Sequence, residues 1–329
     1  MTQAQPLLWG AEALWEQLSP HLPDLSVEVV ARIASTNSAL LERARVASDA
    51  REVDAPAQVR RSTESQAFGR RAVDLQPCLR VAEHQLAGRG RQGRPWQAVA
   101  GSSLTFSLAL PLHPPDWSGL SLAVGVALAE ALDPWPAAQS GRTPRILIKW
   151  PNDLWLVDAI SPAASPAASP ATPPATPPTA SPAVGRKLGG ILIETVSSGT
   201  QRLAVIGIGL NVLPMSIGTA DASSGFACLH ELDARVSAPQ ALARVALPLV
   251  VALRQFERSG FAPFAERFAA RDLLFGRSVS TTQADVAEGV AQGVSASGAL
   301  QVRTAAGLRA LSSGEVSVRP GPLARGSAC

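Results

Sequence analysis

The sequence predicts an α+β protein, with a larger domain of mixed β-sheet and helices over residues 1–271 and a small β-barrel over 272–329. Three observations carry this expectation. Apolar strand-like segments (SSLTFSLALPL at 102–112, QRLAVIGIGLNV at 201–212) are interleaved with helical stretches, among them the apolar GLSLAVGVALAEAL at 119–132. After Asp272 the chain changes character, to short alternating runs (RSVST, EGVAQGVSASGALQVRT, GLRALSSGEVSVR) punctuated by glycine turns. Between the two long strand regions lies a Pro/Ala/Ser/Thr tract at 159–184, whose composition cannot build a packed core and predicts an extended, disordered insertion.

Composition narrows the function classes. A chain of 329 residues with 46% hydrophobic and 17% charged residues is that of a globular protein able to bury a good core. A net charge of +3 without a face-length basic run argues against a nucleic-acid partner. Cys78, Cys228 and Cys329 show no metal-ligand spacing and read as reduced thiols. The start MTQAQPLLWGAEALWEQL has neither a basic n-region nor an apolar h-region, and no apolar run reaches transmembrane length. A cytoplasmic protein without membrane contact is expected. Only two of the 29 basic residues are lysines, Lys149 and Lys187, and only three asparagines occur, Asn37, Asn152 and Asn211. A chain that otherwise uses arginine has kept the compact ammonium at two places, which points to chemistry that arginine does not supply.

In chain order, residues 11–18 predict a short helix and VEVVARI (27–33) a strand leading into Ser35-Thr36-Asn37. That triplet starts the helix SALLERAR. It serves either as a simple N-cap or as hydroxyl and amide groups presented to a ligand at a helix terminus, and both readings stand. Residues 46–77 read as a surface excursion, and CLRVAEHQ (78–85) as a strand. This strand feeds the loop LAGRGRQGRPW, in which Gly88, Gly90 and Gly93 alternate with Arg89, Arg91 and Arg94 before Trp96. The loop fits closure over an anionic ligand, with permanently charged guanidinium forks and a tryptophan latch. It matches GxGxxG formally but fails as a dinucleotide fingerprint, because no amphipathic helix opens after Gly93.

RILIKWPNDLWLV (145–157) predicts a strand interrupted by Pro151, with Lys149 and Asp153 flanking the break and Asn152 turned out of the ladder. Lysine there suits phosphate oxygens, while Asn152 and Asp153 suit a metal-bound phosphate or an incoming amine. An edge-strand salt bridge is the plainer alternative. RKLGGILIETVSSG and QRLAVIGIGLNV predict adjacent antiparallel strands, which makes the Pro-rich tract a hairpin-tip insertion. Gly189 and Gly190 mark a close approach by a ligand or a β-bulge, and Lys187 faces them. Asn211, at the end of the second strand, suits an adenine edge or simply a turn. Residues 239–258 and 262–271 predict two helices.

Taken together, STN, EHQLAGRGRQGRPW, KWPNDL, RKLGGILIE and IGIGLN resemble the motifs, in order, of the biotin protein ligases, from about residue 30 through the C-terminal segment. The resemblance implies a catalytic domain like that of class II aminoacyl-tRNA synthetases, followed by an SH3-like barrel. It implies that biotin and MgATP form biotinyl-5′-AMP, and that the biotinyl group passes to a lysine of a biotin carboxyl carrier protein, in acetyl-CoA carboxylase or another biotin-dependent carboxylase. Carried over by motif position, Ser35, Thr36, Asn37, Gln85, Gly88, Arg89, Arg91, Lys187 and Gly190 would form the biotin site. Arg91, Arg94, Trp96, Lys149, Asn152, Asp153, Lys187, Asn211 and Phe226 would hold ATP and the adenylate. Lys187, Arg91, Lys149 and Asp153 would carry the chemistry, with Asp153 the candidate protein ligand for Mg2+.

The resemblance also sets expectations where the chain departs from it. Bifunctional ligases carry an N-terminal winged helix-turn-helix, and the thirty or so residues before the matching region imply a monofunctional enzyme without operator binding. Gln97 stands where relatives often have an aromatic residue, which bears on the adenine pocket. Pairing of two copies through their sheets is implied as an assembly state. The rival enzyme reading is a lipoate or octanoyl ligase or transferase of the same superfamily. The rival non-enzymatic readings are a biotin or nucleotide sensor, which the two retained lysines disfavour, and an Arg/Gly nucleic-acid module, which lacks interleaved aromatics.

Overall fold

A computed structural model describes residues 7–50, 65–68, 75–134, 143–158, 185–198, 201–215, 225–312 and 318–323. The expected insertion at 159–184 lies outside them, as does most of the 46–77 excursion. Helix α1 (Ala11–Leu18) precedes strand β1 (Ser26–Ile33) and helix α2 (Thr36–Ala50), and β2 (Ser65–Phe68) and β3 (Cys78–Gln85) follow. The Gly/Arg loop folds into two short strands, β4 (Gly88–Arg89) and β5 (Pro95–Trp96), around a 3-10 turn. Next come β6 (Ser103–Pro111), α3 (Leu120–Leu132), β7 (Ile146–Lys149), β8 (Asp153–Leu156), β9 (Arg186–Ser198) and β10 (Gln201–Asn211). Helices α4 (Ala238–Ser259) and α5 (Ala265–Ala269) lead to β11 (Arg277–Thr281), β12 (Glu288–Val294), β13 (Leu300–Thr304), β14 (Gly307–Leu311) and β15 (Val318–Leu323).

The central sheet has eight strands in the order β2-β1-β3-β6-β10-β9-β8-β7. Among the described residues β1 and β3 are the one parallel pair of neighbouring strands in it, so the sheet is mixed, as expected. Two sequence readings change here. The region 46–77 contributes to the fold, because α2 continues to Ala50 and β2 pairs antiparallel with β1. The segment 145–157 is a reversing hairpin rather than one interrupted strand, with Lys149 and Asp153 as its closing pair. Strands β8 and β9 on either side of the Pro-rich tract pair with each other.

Side chains alternate across a strand, and the central strands use the alternation fully. On one face Phe106, Leu108, Ile206 and Ile208 are at most 3% exposed within a core shared with α1, α3 and α4. Each such side chain contributes about 1.5–3 kcal/mol on burial, so this face anchors the sheet. Helix α3 is apolar all round because it is covered by α4, α5 and the sheet. The opposite face carries Thr105, Ser107, Gly207 and Gly209, small or polar residues, and α2 covers only part of it. The cleft forms over the remainder.

The expected C-terminal barrel is not formed. The second sheet has the open order β14-β13-β12-β11-β15, and no ladder joins β14 to β15 among the described residues. The physical reason lies in β15, where Pro320 and Pro322 lack the N–H groups that a further strand would need, and where pairing with β11 is already irregular. This sheet joins the main core through Val279, Ala291, Leu300 and Val302. The Trp150 indole N–H also donates to the Gly298 carbonyl at 3.0 Å.

At the entry to this sheet, the Asp272 carboxylate accepts the Leu274 N–H at 2.8 Å, and burial pushes its pKa up to about 6. An acid whose folded pKa is raised stabilises the fold below its unfolded pKa of about 3.9, and loses that contribution as pH rises through 6. Asp272→Asn keeps the acceptor and removes the ionisation. Urea unfolding should therefore show the variant gaining about 2 kcal/mol relative to wild type between pH 4 and pH 7. Parallel pH profiles for the two proteins would refute the assignment.

Candidate functional site

The cleft, of about 1360 Å³, opens on the small-residue face of the central sheet, between the start of α2, the Gly/Arg loop and the β7–β8 turn. Its floor depends on two glycines. A Cβ on Gly207 would lie 2.3 Å from Asn37 Oδ1, and one on Gly209 would lie 2.4 Å from the Trp96 ring. Any side chain at either position would displace the group resting there. The sequence IGIGLN thus places isoleucine in the core and glycine under the cleft, in strict alternation.

One end of the cleft is neutral and polar. Ser35 Oγ accepts the Ser38 N–H at 3.3 Å and so caps α2, while Thr36 and Asn37 line the cleft. The N-cap reading of this triplet is met by Ser35, which lines the cleft together with Thr36 and Asn37. Gln85 Oε1 accepts the Thr36 N–H at 2.9 Å. Ser107, fully buried, places Oγ 2.7 Å from Thr36 Oγ1 and 2.6 Å from Asn37 Oδ1.

The other end is cationic. Lys187 Nζ lies 2.8 Å from Asp153 Oδ1, and Lys149 Nζ lies 3.8 Å from Asp153 Oδ2. Burial pulls the Lys149 pKa down, Asp153 opposes this, and Lys187, Arg91 and Arg94 push it further down. Burial also lowers the pKa of Arg91, whose Nη1 donates to Asn152 Oδ1 at 3.3 Å. Asn152 is held in turn by its Nδ2, which donates to the Ile191 carbonyl at 2.8 Å. Two lysines and two arginines therefore converge on a region in which Asp153 is the one lining carboxylate among the described residues. A bound anion would relieve this imbalance and favour the charged form of Lys149.

The Gly/Arg loop lies over the join between the two ends. Gly88 pairs with Trp96 and Arg89 with Pro95, while Gln92 and Gly93 take left-handed φ of 57° and 69° at the tip. The Trp96 ring has Lys187 Nζ 5.7 Å from its centre, within cation–π range. Asn211 lines the cleft and donates its Nδ2 to the carbonyls of Ala227 (3.0 Å) and Lys187 (3.4 Å). Phe226 is thereby kept beside Lys187, with which it forms a parallel bridge. All the residues assigned from the sequence to the biotin, ATP or catalytic sites line this cleft except Gly88, which stands behind Trp96 and Gln85, whereas the motif glycines Gly93 and Gly189 do not line it.

Sequence reasoning missed several lining or supporting residues. Ser107 and Thr105 were legible as the polar phase of SLTFSLAL, since a strand polar at every second position has one face against something polar. Glu194, which touches both Asn37 and Arg89, ends the same strand motif as Lys187 but is four pairs removed from Gly190 and gave no signal. Thr281, Thr282 and Arg319 of the second sheet reach the mouth of the cleft through tertiary packing alone. Among the described residues no group of three or more His, Cys, Asp or Glu side chains is placed to hold a metal.

Residues 59–211 match the biotin/lipoate A/B protein ligase family, and residues 274–319 match the biotin protein ligase C terminal domain. The bifunctional ligase/repressor BirA of Salmonella typhimurium is 30% identical over 243 residues, covering 73% of this chain and 66% of the relative. The biotin–[acetyl-CoA-carboxylase] ligase of Mycobacterium tuberculosis is 32% identical over 213 residues, covering 62% of this chain and 53% of the relative. The chain thus spans from about half to just under two thirds of the length of these relatives. In fold, it is similar to the biotin protein ligase of Aquifex aeolicus solved with biotin and ATP, with a TM-score of 0.60 at 22% identity, covering 90% of this chain and 99% of that one.

The glycine floor makes a direct prediction. Gly209→Ala should displace the Trp96 indole and loosen the loop, at a stability cost of about 1–3 kcal/mol. Limited trypsin digestion should then cleave after Arg89 or Arg91 severalfold faster than in wild type. Unchanged cleavage in a folded variant would show that the indole does not depend on Gly209.

Proposed function

We infer that the chain belongs to the biotin/lipoate A/B protein ligase family, and on that premise we propose that it is an ATP-dependent ligase that activates biotin as biotinyl-5′-AMP and transfers it to a lysine of a biotin carboxyl carrier protein. The observation that carries this reading is the cleft itself. A neutral polar pocket at Thr36, Asn37 and Gln85 adjoins a cationic end where Lys149 and Lys187 pair with Asp153 and Arg91 and Arg94 stand nearby, beneath a loop that carries Trp96. The match to the biotin protein ligase C terminal domain favours biotin over lipoate, and it supports dividing the chain near Asp272.

The residues take the following roles. Ser35, Thr36, Asn37, Gln85 and the Gly88–Arg89 strand hold the ring end of biotin, and Gly190 leaves room for the chain. Lys187 bridges the biotin carboxylate and the α-phosphate. A carboxylate oxygen attacks the α-phosphorus, the bond to pyrophosphate breaks, and a mixed anhydride forms. Lys187, Lys149, Arg91 and Arg94 offset the negative charge that develops on the phosphoryl oxygens. Asn211 and Phe226 hold the adenine beside Trp96. Loop closure keeps water from the anhydride. The acceptor amine then attacks the biotinyl carbonyl and AMP leaves, with Asn152 and Asp153 orienting the amine and Asp153 taking its proton.

ATP enters as its magnesium complex. A single carboxylate already paired with Lys187 fits an ion carried on substrate phosphates, with Asp153 as its protein ligand, rather than an all-protein cage. Among the described residues no helix is long and apolar enough to cross a membrane. A cytoplasmic enzyme serving the carrier subunit of acetyl-CoA carboxylase is the setting we infer.

The test is incorporation of labelled biotin into a biotin carboxyl carrier domain with MgATP, comparing wild type with Lys187→Ala. Transfer by wild type and a loss of about 100-fold or more in the variant are expected. Equal rates would remove Lys187 from the chemistry. A folded wild type that binds biotin but makes neither adenylate nor product would overturn the ligase reading in favour of a sensor.

A further inference from the structure

Arg186 and Glu231 have no role in the scheme above, and they stand outside the lining of the cleft, behind Phe226. Neighbouring residues of a strand point to opposite faces, so at the start of β9 Lys187 lines the cleft and Arg186 does not. The Arg186 guanidinium donates through Nη1 to the Phe226 carbonyl at 3.0 Å and to Glu231 Oε1 at 3.1 Å, and through Nη2 to Glu231 Oε2. Glu231 Oε1 also accepts the Cys228 N–H at 3.0 Å. Between these contacts, the Ala227 N–H donates to the Lys187 carbonyl at 2.9 Å, and the Ala227 carbonyl accepts from Asn211 Nδ2 at 3.0 Å. Successive backbone groups from the Phe226 carbonyl to the Cys228 N–H are thus all held, and the ion pair holds the first and the last.

The Phe226 carbonyl and the Ala227 N–H belong to one planar peptide unit. Strand β9 grips that plane at both ends, by the Arg186 side chain and by the Lys187 main chain. The plane's orientation is thereby fixed, and with it the direction in which the Phe226 side chain leaves the backbone. Stability alone accounts poorly for the pair. Its side chains are 36% and 30% exposed, and ion pairs open to solvent contribute little to folding. What a guanidinium fork supplies instead is geometry, since it holds two partners at a set angle.

We propose that Arg186 and Glu231 are positioning residues for the nucleotide, acting through Phe226. Together they hold the phenyl ring at the angle on which a planar base stacks. The pair therefore sets the affinity for ATP and leaves that for biotin untouched. The proposal rests on the ligase reading above and adds to it two residues that never meet a substrate.

The experiment uses the full chain with MgATP, labelled biotin and a biotin carboxyl carrier domain. The KM for each substrate and kcat are measured for wild type, Arg186→Met, Arg186→Lys, Glu231→Gln, Phe226→Ala and the double variant Arg186→Met/Phe226→Ala, with folding checked by circular dichroism. Arg186→Met should raise the KM for ATP about fivefold or more, by loss of a charge-assisted hydrogen bond. Its kcat and its KM for biotin should stay within about twofold of wild type. Arg186→Lys keeps the charge without the fork and should resemble Arg186→Met. Glu231→Gln keeps an acceptor for Cys228 and should raise the KM for ATP by less. Phe226→Ala should raise it at least as much as Arg186→Met does. In that background Arg186→Met should add less than about twofold, because no ring is left for it to act through. An unchanged KM for ATP in Arg186→Met, or effects that multiply in the double variant, would overturn the proposal. A fall in kcat with both KM values unmoved marks a merely structural role and counts against it equally. A wild type without ATP-dependent biotin transfer would instead defeat the ligase reading, and the proposal with it.

Discussion

Trp96 rests against Gly209 and Asn37 against Gly207, and these two contacts depend on the same strand presenting Ile206, Ile208 and Leu210 to the opposite side. The two-residue repeat of β-structure lets one strand anchor the fold and furnish the cleft without compromise between the tasks. The helical side supplies the apolar burial that holds the sheet. The cleft side is left free to carry glycines, hydroxyls and an asparagine, which contribute little to stability. The loop, the start of α2 and the lysines of the neighbouring hairpins all take their positions from that floor.

The cationic end is expensive in a different way. Lys149 and Lys187 both pair with Asp153, Arg91 and Arg94 lie near enough to push the Lys149 pKa down, and burial weighs on both Lys149 and Arg91. Removing one partner of such a cluster leaves a buried charge uncompensated. Asp153 therefore holds the cluster together, since it pairs with Lys187 and Lys149 at the closing position of a hairpin. Arrival of a polyanion replaces mutual repulsion by attraction. The cluster's electrostatic strain is thus of a kind that a bound anion would relieve.

Much of this was legible because the chain is sparing with particular residues. Two lysines and three asparagines in 329 residues stood out, and all five border the cleft. The strand pairs were legible from their alternation, and the Gly/Arg loop from its lack of a following helix. Three things were not. Glu194 looked like any strand glutamate, because its partners Asn37 and Arg89 are 157 and 105 positions away. The reversal at Trp150–Asn152 was hidden, because proline marks a break in pairing without specifying its direction. The closed barrel failed because alternation in the last strand said nothing of edge pairing, which Pro320 and Pro322 deny.

The pairing of β8 with β9 has one more consequence. The connection between them runs from Val157 to Gly185, and it leaves from the Leu156–Arg186 end of the hairpin, whereas Asp153 and Gly190 meet at the other end. The entropy of closing a loop grows only with the logarithm of its length, by about 0.6 kcal/mol for each doubling. A connection anchored by two strands already committed to one sheet can therefore lengthen or drift in composition at small thermodynamic cost. The fold thus has a place where sequence can change without altering the pairing of the two strands that bracket it.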